Sequence, residues 1–223
     1  AWAHRQRLLP DTTACRVVFA EADFLPGLIV DKFGDVLVVQ TLALGIDRWL
    51  ADIVNMLDEI LRPVGIYERN DVKVRELEGL EQRKGYLRGE FDPRLIIQEN
   101  GLKIVVDVAN GQKTGYYLDQ RDNRRAVRPY ARGARVLDCF CNAGGFALNA
   151  AAAGAREVLA VDASAAALED VRINAELNGL SDRIQTREGN AFDILRELEA
   201  AGEKFDLVVL DPPAFAKNKS SLD

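Results

Sequence analysis

From about residue 132 onward the sequence alternates short apolar runs with longer helix-forming stretches, and this rhythm constrains the fold more than any other feature. Residues 135–138, 157–162, 184–188 and 205–210 read as strands. Residues 147–153, 165–178 and 194–201 read as helices, the second closed by Gly179. Strands that alternate with helices pair in parallel and need right-handed crossovers. Short, continuously apolar strands are those buried on both faces of such a sheet. Open sheets of this kind bind ligands beyond the carboxyl ends of their strands. The residues just after each run are therefore the candidates for function.

All four exits carry a distinctive group. The first reads Asp138-Cys139-Phe140-Cys141-Asn142-Ala143-Gly144-Gly145-Phe146, where the paired glycines let the backbone approach a ligand closely. The second is Asp162-Ala163-Ser164, with Asp162 lying 24 residues after Asp138. An acidic residue about 20 residues beyond such a loop bonds the two ribose hydroxyls of an adenosine ligand; the alternative role for Asp162 is to cap the helix that follows. The third is Glu188-Gly189-Asn190-Ala191-Phe192, where Asn190 offers an acceptor to an adenine amino group, although Gly-Asn is also ordinary turn chemistry. The fourth is Asp211-Pro212-Pro213-Ala214-Phe215. Two prolines there would fix the backbone, Asp211 would accept from an exocyclic amine, and Phe215 would offer a stacking face or join the core. No G-x-G-x-x-G is present, so a pyrophosphate has no glycine-lined cradle. Adenosine without phosphate fits better, and S-adenosylmethionine (SAM) is such a ligand.

The front of the chain has a different grammar. Residues 15–20, 28–32 and 36–42 are β-prone, the last two joined by a turn at Phe33-Gly34-Asp35. Residues 46–61 show helical spacing that ends before Pro63, and 64–68 is again β-like. Residues 69–93 are polar and charged and read as an ordered excursion or loops, after which 95–99 and 102–108 flank the hairpin signal Asn100-Gly101. Strand, strand, strand, helix and three more strands make a small α+β domain. Between the two regions, residues 113–135 hold seven Lys or Arg against two Asp, inside a protein of net charge -6. That balance argues against general polyanion binding but leaves room for a local basic patch.

Three cysteines in 223 residues (Cys15, Cys139 and Cys141) form no disulfide framework, and with His4 as the one histidine no metal site is expected. A reducing, cytoplasmic setting follows from the cysteine usage. No apolar run nears the roughly 18 residues that span a membrane.

Taken together, GQKTGYYLDQRDNR (111–124), VLDCFCNAGGFAL (136–148), VDAS (161–164) and FDLVVLDPPAFAKNKS (205–220) resemble the large-subunit ribosomal RNA methyltransferase I family. EADFLPGLIVDKFG (21–34) and NDVKVRELEG (70–79) are similar too, so the likeness runs through nearly the whole chain. It implies a Rossmann-like class I SAM methyltransferase domain of the α/β class, preceded by the small α+β domain. It also implies 5-methylcytosine formation in 23S rRNA, with ribosomal RNA as partner and a homodimer as a further expectation. On this pattern residues 1–14 are a linker from an RNA-binding domain of the PUA type, 15–110 the central domain, and 111–223 the first part of the methyltransferase domain. A seven-stranded sheet would need three more strands, and the catalytic cysteine follows the fifth, so this piece is expected to be inactive alone.

The resemblance places Thr114, Tyr117 and Gln120 on the cofactor and Arg121, Pro212, Pro213 and Phe215 on the substrate, with Asp211 as the candidate catalytic residue that also faces the cofactor. Asn190 departs from the pattern, where Asp is more frequent. Cytosine C5 becomes nucleophilic only after a thiolate adds to C6, and Cys139 and Cys141, in the cofactor loop, read as packing residues. Two rival readings stand beside this one: methylation of guanine N7 or an exocyclic amine, which needs no cysteine, and a noncatalytic RNA-binding or assembly module. A nicotinamide dehydrogenase is disfavoured by the missing glycine fingerprint.

Overall fold

A computed structural model describes residues 2–9 and 11–213. The chain divides into two compact units, Ala1–Gly101 with Val105–Asp119, and Leu102–Ile104 with Gln120–Asp223.

The amino-terminal unit begins with α1 (Trp2–Leu8), where the sequence suggested only a linker. It continues through β1 (Ala14–Phe19), β2 (Leu28–Phe33), β3 (Val36–Thr41), α2 (Leu44–Asp47), α3 (Leu50–Leu61), β4 (Gly65–Asn70), β5 (Arg83–Arg88), β6 (Arg94–Glu99) and β7 (Leu102–Asp107). Strands β1 to β5 form one sheet in sequential order; β3 and β4 run parallel around α3 and the other neighbours are antiparallel. One face of α3 buries Ile53 and Val54 against Val30, Leu37, Val39 and Ile66.

One expectation needs correction here. The helix predicted over 46–61 is two helices, because the chain turns at Arg48 and Trp49 before α3 starts. The polar stretch 69–93, read as an ordered excursion or loops, is ordered: it contains β5 and a short 3₁₀ turn over Lys73–Glu78. Strand β5 lies at the sheet edge, where charged residues are favoured because they deter further pairing. That composition hides it from any search for apolar alternation. Its charges are used: Arg83 bonds Glu68 at 2.6 Å and Asp47 at 2.9 Å. Asp47 also binds the fully buried Arg75 at 2.9 Å, tying the excursion to α2.

The carboxy-terminal unit contains α4 (Arg121–Ala126), α5 (Arg128–Ala131), β8 (Arg135–Cys139), α6 (Gly145–Ala152), β9 (Glu157–Asp162), α7 (Ala165–Leu177), β10 (Ile184–Glu188), α8 (Ala191–Ala200) and β11 (Leu207–Leu210). The four strands form one parallel sheet, ordered β10-β9-β8-β11. Val136, Leu137, Val158, Ala160 and Val161 are buried, as the rule for doubly covered strands requires. Edge strand β11 breaks that rule, with Val208 46% and Leu210 59% exposed. Strand order proceeds outward from β8 through β9 to β10 and then reverses to place β11 on β8's other side. The reversal is a topological switch point, where open α/β sheets form their binding crevice. No described helix is long and apolar enough to cross a membrane.

Candidate cofactor crevice

The switch-point rule puts the ligand crevice at the carboxyl ends of β8, β9, β10 and β11, where the loop from β8 to α6 lies. In that loop the chain reverses within a few residues, with Phe140 and Asn142 in the left-handed region at φ 60° and 48°. Such conformations cost non-glycine residues on the order of 1 kcal/mol and collect at functional sites. The bonds of the loop show what holds them there. The Asn142 N–H donates to Asp162 at 2.9 Å, and the Asn142 side-chain oxygen accepts from the Ala143 N–H at 2.7 Å. The Cys141 N–H reaches the Val161 carbonyl at 3.0 Å, so the loop extends the β8–β9 pairing. Asn174, buried on α7, donates to the Ala143 carbonyl at 3.0 Å.

Gly144 then caps α6 at φ 77°. A β-carbon there would stand 3.0 Å from Val171 on α7, so both the backbone angle and the close packing demand glycine. Gly145 starts the helix, with Phe146 half-buried beside it. The positive end of α6 therefore stands at the crevice.

Two carboxylates sit here in different surroundings. Asp138 is completely buried and accepts the Ala147 N–H of α6 at 2.9 Å. Burial pushes its pKa up to about 7, and the negative charges of Asp162 and Asp211 push it the same way. Asp162, half-buried at the end of β9, accepts from two backbone donors, Asn142 and, at 2.9 Å, Ser164. An ionised carboxylate has about four acceptor positions, so two remain for a ligand's hydroxyls. Its helix-side role and the ribose-binding role are thus compatible.

The other candidates divide. Ala163 is exposed and Ala191 buried. The Ser164 hydroxyl accepts from the Ala167 N–H at 3.2 Å as the cap of α7. Likewise, the Asn190 side-chain oxygen accepts from the Phe192 N–H at 2.9 Å as the cap of α8. The adenine contact read from the sequence is therefore one that Asn190 must share with a capping bond. Asp211, Pro212 and Pro213 are exposed just beyond β11, on the other side of the switch point from Asp138. Phe215 lies outside the described residues.

Thr114 and Tyr117 belong to the amino-terminal unit. Thr114 is buried and its hydroxyl donates to Asp31 at 2.6 Å, which gives it an internal partner. Tyr117 is half-buried, with the Lys113 ammonium 5.9 Å from its ring centre. At the start of the carboxy-terminal unit Gln120 accepts from Asn123 at 2.7 Å, and Arg121 pairs with Asp122 at 2.8 Å.

The sequence placed Phe192 in the third group without giving it a role. At the start of α8 it is 46% exposed, and it packs edge-to-face on Phe140 with ring centres 5.9 Å apart. An apolar aromatic left this open beside an acceptor suits a flat heterocycle. Its signal was its place directly after Asn190-Ala191.

Cys139 and Cys141 are buried, and burial raises both thiols, Cys139 to about 11 and Cys141 further. Neither supplies a thiolate, in agreement with their reading as packing residues.

Comparison with known proteins bears on the same residues. The sequence profile of the S-adenosylmethionine-dependent methyltransferases matches residues 80–223, more than half of the chain and all four strand exits. The chain belongs to that family. Curated relatives named ribosomal RNA large subunit methyltransferase I include the Erwinia tasmaniensis protein, 46% identical over 209 residues. The Shewanella denitrificans protein is 45% identical over 227 residues, covering 100% of this chain and 57% of its own length. The first of these is covered over 93% of this chain and 53% of its own length, so the chain spans about half the length of the curated relatives it matches. Among solved structures, SMU.776 complexed with SAH superimposes with a TM-score of 0.83 at 26% identity, over 98% of this chain and 57% of that one. The M. jannaschii tRNA m1G37 methyltransferase shares the fold at a TM-score of 0.65 and 22% identity, over 85% of this chain and 55% of that one. These likenesses agree with the Rossmann-like fold expected from the strand–helix rhythm.

Proposed function

We propose that this chain carries the SAM-binding crevice of a methyltransferase that modifies large-subunit ribosomal RNA. The observation that carries this reading is Asp162: a carboxylate clamped by the N–H groups of Asn142 and Ser164, with acceptor positions left over, beside the Gly144 turn. A nucleoside with two ribose hydroxyls and no phosphate fits that donor set. Its base would lie against Phe192 and Ala191, and its charged tail near the first turn of α6. Bound SAM would supply an electrophilic methyl group, and the residues described here would hold and orient it. Asp138, its pKa raised by burial to about 7, accepts the Ala147 N–H and so holds the α6 turn.

On the acceptor side, Asp211 would receive a hydrogen bond from an exocyclic amine, with Pro212 and Pro213 stiffening the strand exit. Arg121, and Gln120 beside it, would serve nearby phosphate and cofactor groups. The finer reading, 5-methylcytosine as product, requires a thiolate to add to C6. The buried, raised thiols of Cys139 and Cys141 do not supply it, so that reading takes its nucleophile from elsewhere in the protein. Methylation of an exocyclic amine or guanine N7 needs no thiolate and accords with the same two buried thiols. Nucleoside analysis of RNA treated with the protein separates the products.

Calorimetric titration of SAM into the chain, wild type against Asp162→Ala, tests the cofactor reading. Hydrogen bonds to a charged acceptor contribute about 1.5–3 kcal/mol, so the variant should bind at least about tenfold more weakly. Equal binding by both proteins would remove Asp162 from the site. A wild type that binds no SAM, in this chain and in a longer one alike, would remove the reading itself.

A further inference from the structure

Six arginines lie in the basic stretch between Gln120 and Arg135, and the structure uses four of them internally. Arg121 pairs with Asp122, Arg124 is buried, Arg128 bonds Asn149 at 2.8 Å, and Arg135 grips Glu157 and Glu203. Arg132 is exposed instead, just before β8. Its side chain packs 3.9 Å from the place where Gly154 would carry a β-carbon. The Gly133 N–H bonds the Gly154 carbonyl, and the Arg156 N–H bonds the Ala134 carbonyl, each at 2.8 Å. Arg156 is exposed as well. From the next strand start, exposed Arg183 reaches over to the Ala155 carbonyl at 3.2 Å.

Three exposed arginines from three successive strand starts thus flank the turn Gly154-Ala155-Arg156. The nearby acids are largely committed: Glu157 and Glu203 to Arg135, and Asp206 to the Arg135 N–H at 2.8 Å. Exposed Asp182 is the counter-charge next to Arg183. Two residues before Arg132, the Tyr130 ring is 73% exposed. In a protein of net charge -6, three exposed arginines against one adjacent acid, with an open aromatic beside them, are a local feature and not bulk charge.

We infer that Arg132, Arg156, Arg183 and Tyr130 form a docking surface for single-stranded RNA at the amino-terminal edge of the carboxy-terminal sheet. Arginines there meet backbone phosphates and Tyr130 stacks on a base, the combination that binds single strands without reading sequence. The surface lies at the edge opposite the cofactor crevice. A five-residue strand spans roughly 16 Å at about 3.3 Å per residue, so it engages RNA a few nucleotides from any base being modified. The inference deepens the RNA-substrate reading and rests on it.

Fluorescence anisotropy with a fluorescein-labelled oligouridylate tests it, across a salt series. The variants are Arg132→Glu/Arg156→Glu and Tyr130→Ala. The control is Arg172→Glu/Arg196→Glu, which makes the same charge change at exposed arginines paired with Glu169 and Asp193. The double reversal should weaken binding about tenfold or more at low salt and flatten the log–log salt slope by about 1.4, at roughly 0.7 per phosphate. Tyr130→Ala should weaken binding about fivefold or more with the slope unchanged. The control should stay within about twofold of wild type. Failure of the wild type to bind, a double reversal that binds like wild type, or a control that loses as much would each overturn the proposal. SAM titration of the same variants separates the two readings: patch variants that keep SAM affinity leave the crevice intact, and RNA binding in a chain without SAM affinity keeps the patch while removing the methyltransferase.

Discussion

Asp138 makes the stability of this protein depend on pH in an unusual direction. Burial, together with the charges of Asp162 and Asp211, raises its carboxyl from the ordinary 3.8 of an exposed aspartate to about 7 in the folded chain. Between those values the folded state holds a proton that the unfolded state has lost. Folding then takes up a proton, so raising the pH lowers stability until Asp138 ionises in the native state too. Raising the carboxyl from 3.8 to about 7, at about 1.36 kcal/mol per pH unit, amounts to about 4 kcal/mol in total, of which about 3 falls between pH 5 and pH 8.

Asp138→Asn imitates the protonated side chain: its oxygen can still accept the Ala147 N–H, and it does not ionise. Urea unfolding of both proteins, across pH 5 to 8 in a His4→Gln background, would read the difference directly. The wild type should lose on the order of 3 kcal/mol more than the variant over that interval. Parallel curves would refute the reasoning, because they would mean that Asp138 is already ionised at pH 5 or that solvent reaches it.

Two further outcomes follow from the same geometry. Asn190→Ala removes the cap of α8 and should cost about 1 kcal/mol of stability; a drop in SAM affinity much larger than that of Phe192→Ala would show that Asn190, and not the ring beside it, is the dominant contact. Native Cys139 and Cys141 should resist iodoacetamide at pH 8 while unfolded protein is alkylated at once, since both thiols are buried and raised; mass spectrometry showing rapid native alkylation at either would return it to consideration as a nucleophile.

The local order of the carboxy-terminal unit was legible because each strand and helix announces itself in its own residues. Apolar runs bounded by Asp138, Asp162, Glu188 and Asp211 placed the four exits, and the Gly144-Gly145 turn marked the first loop. Strand β5 escaped because edge position rewards the charged residues that erase the strand signal. The split between α2 and α3 escaped because both halves continue one apolar spacing across Trp49.

What the sequence determined by itself was a set of strands, helices and acidic exits in order along the chain. Only the tertiary structure decided that β11 sits beside β8, which turns those exits into a crevice, because strand neighbours are chosen by packing and not by adjacent residues. It alone decided how polar side chains divide their work. Thr114 looked equipped for a ligand and is spent on Asp31, whereas Asp162 serves two backbone donors with capacity to spare. Hydrogen-bond partners distant in sequence make that choice, as does the loss of solvent that sets Asp138 near neutrality.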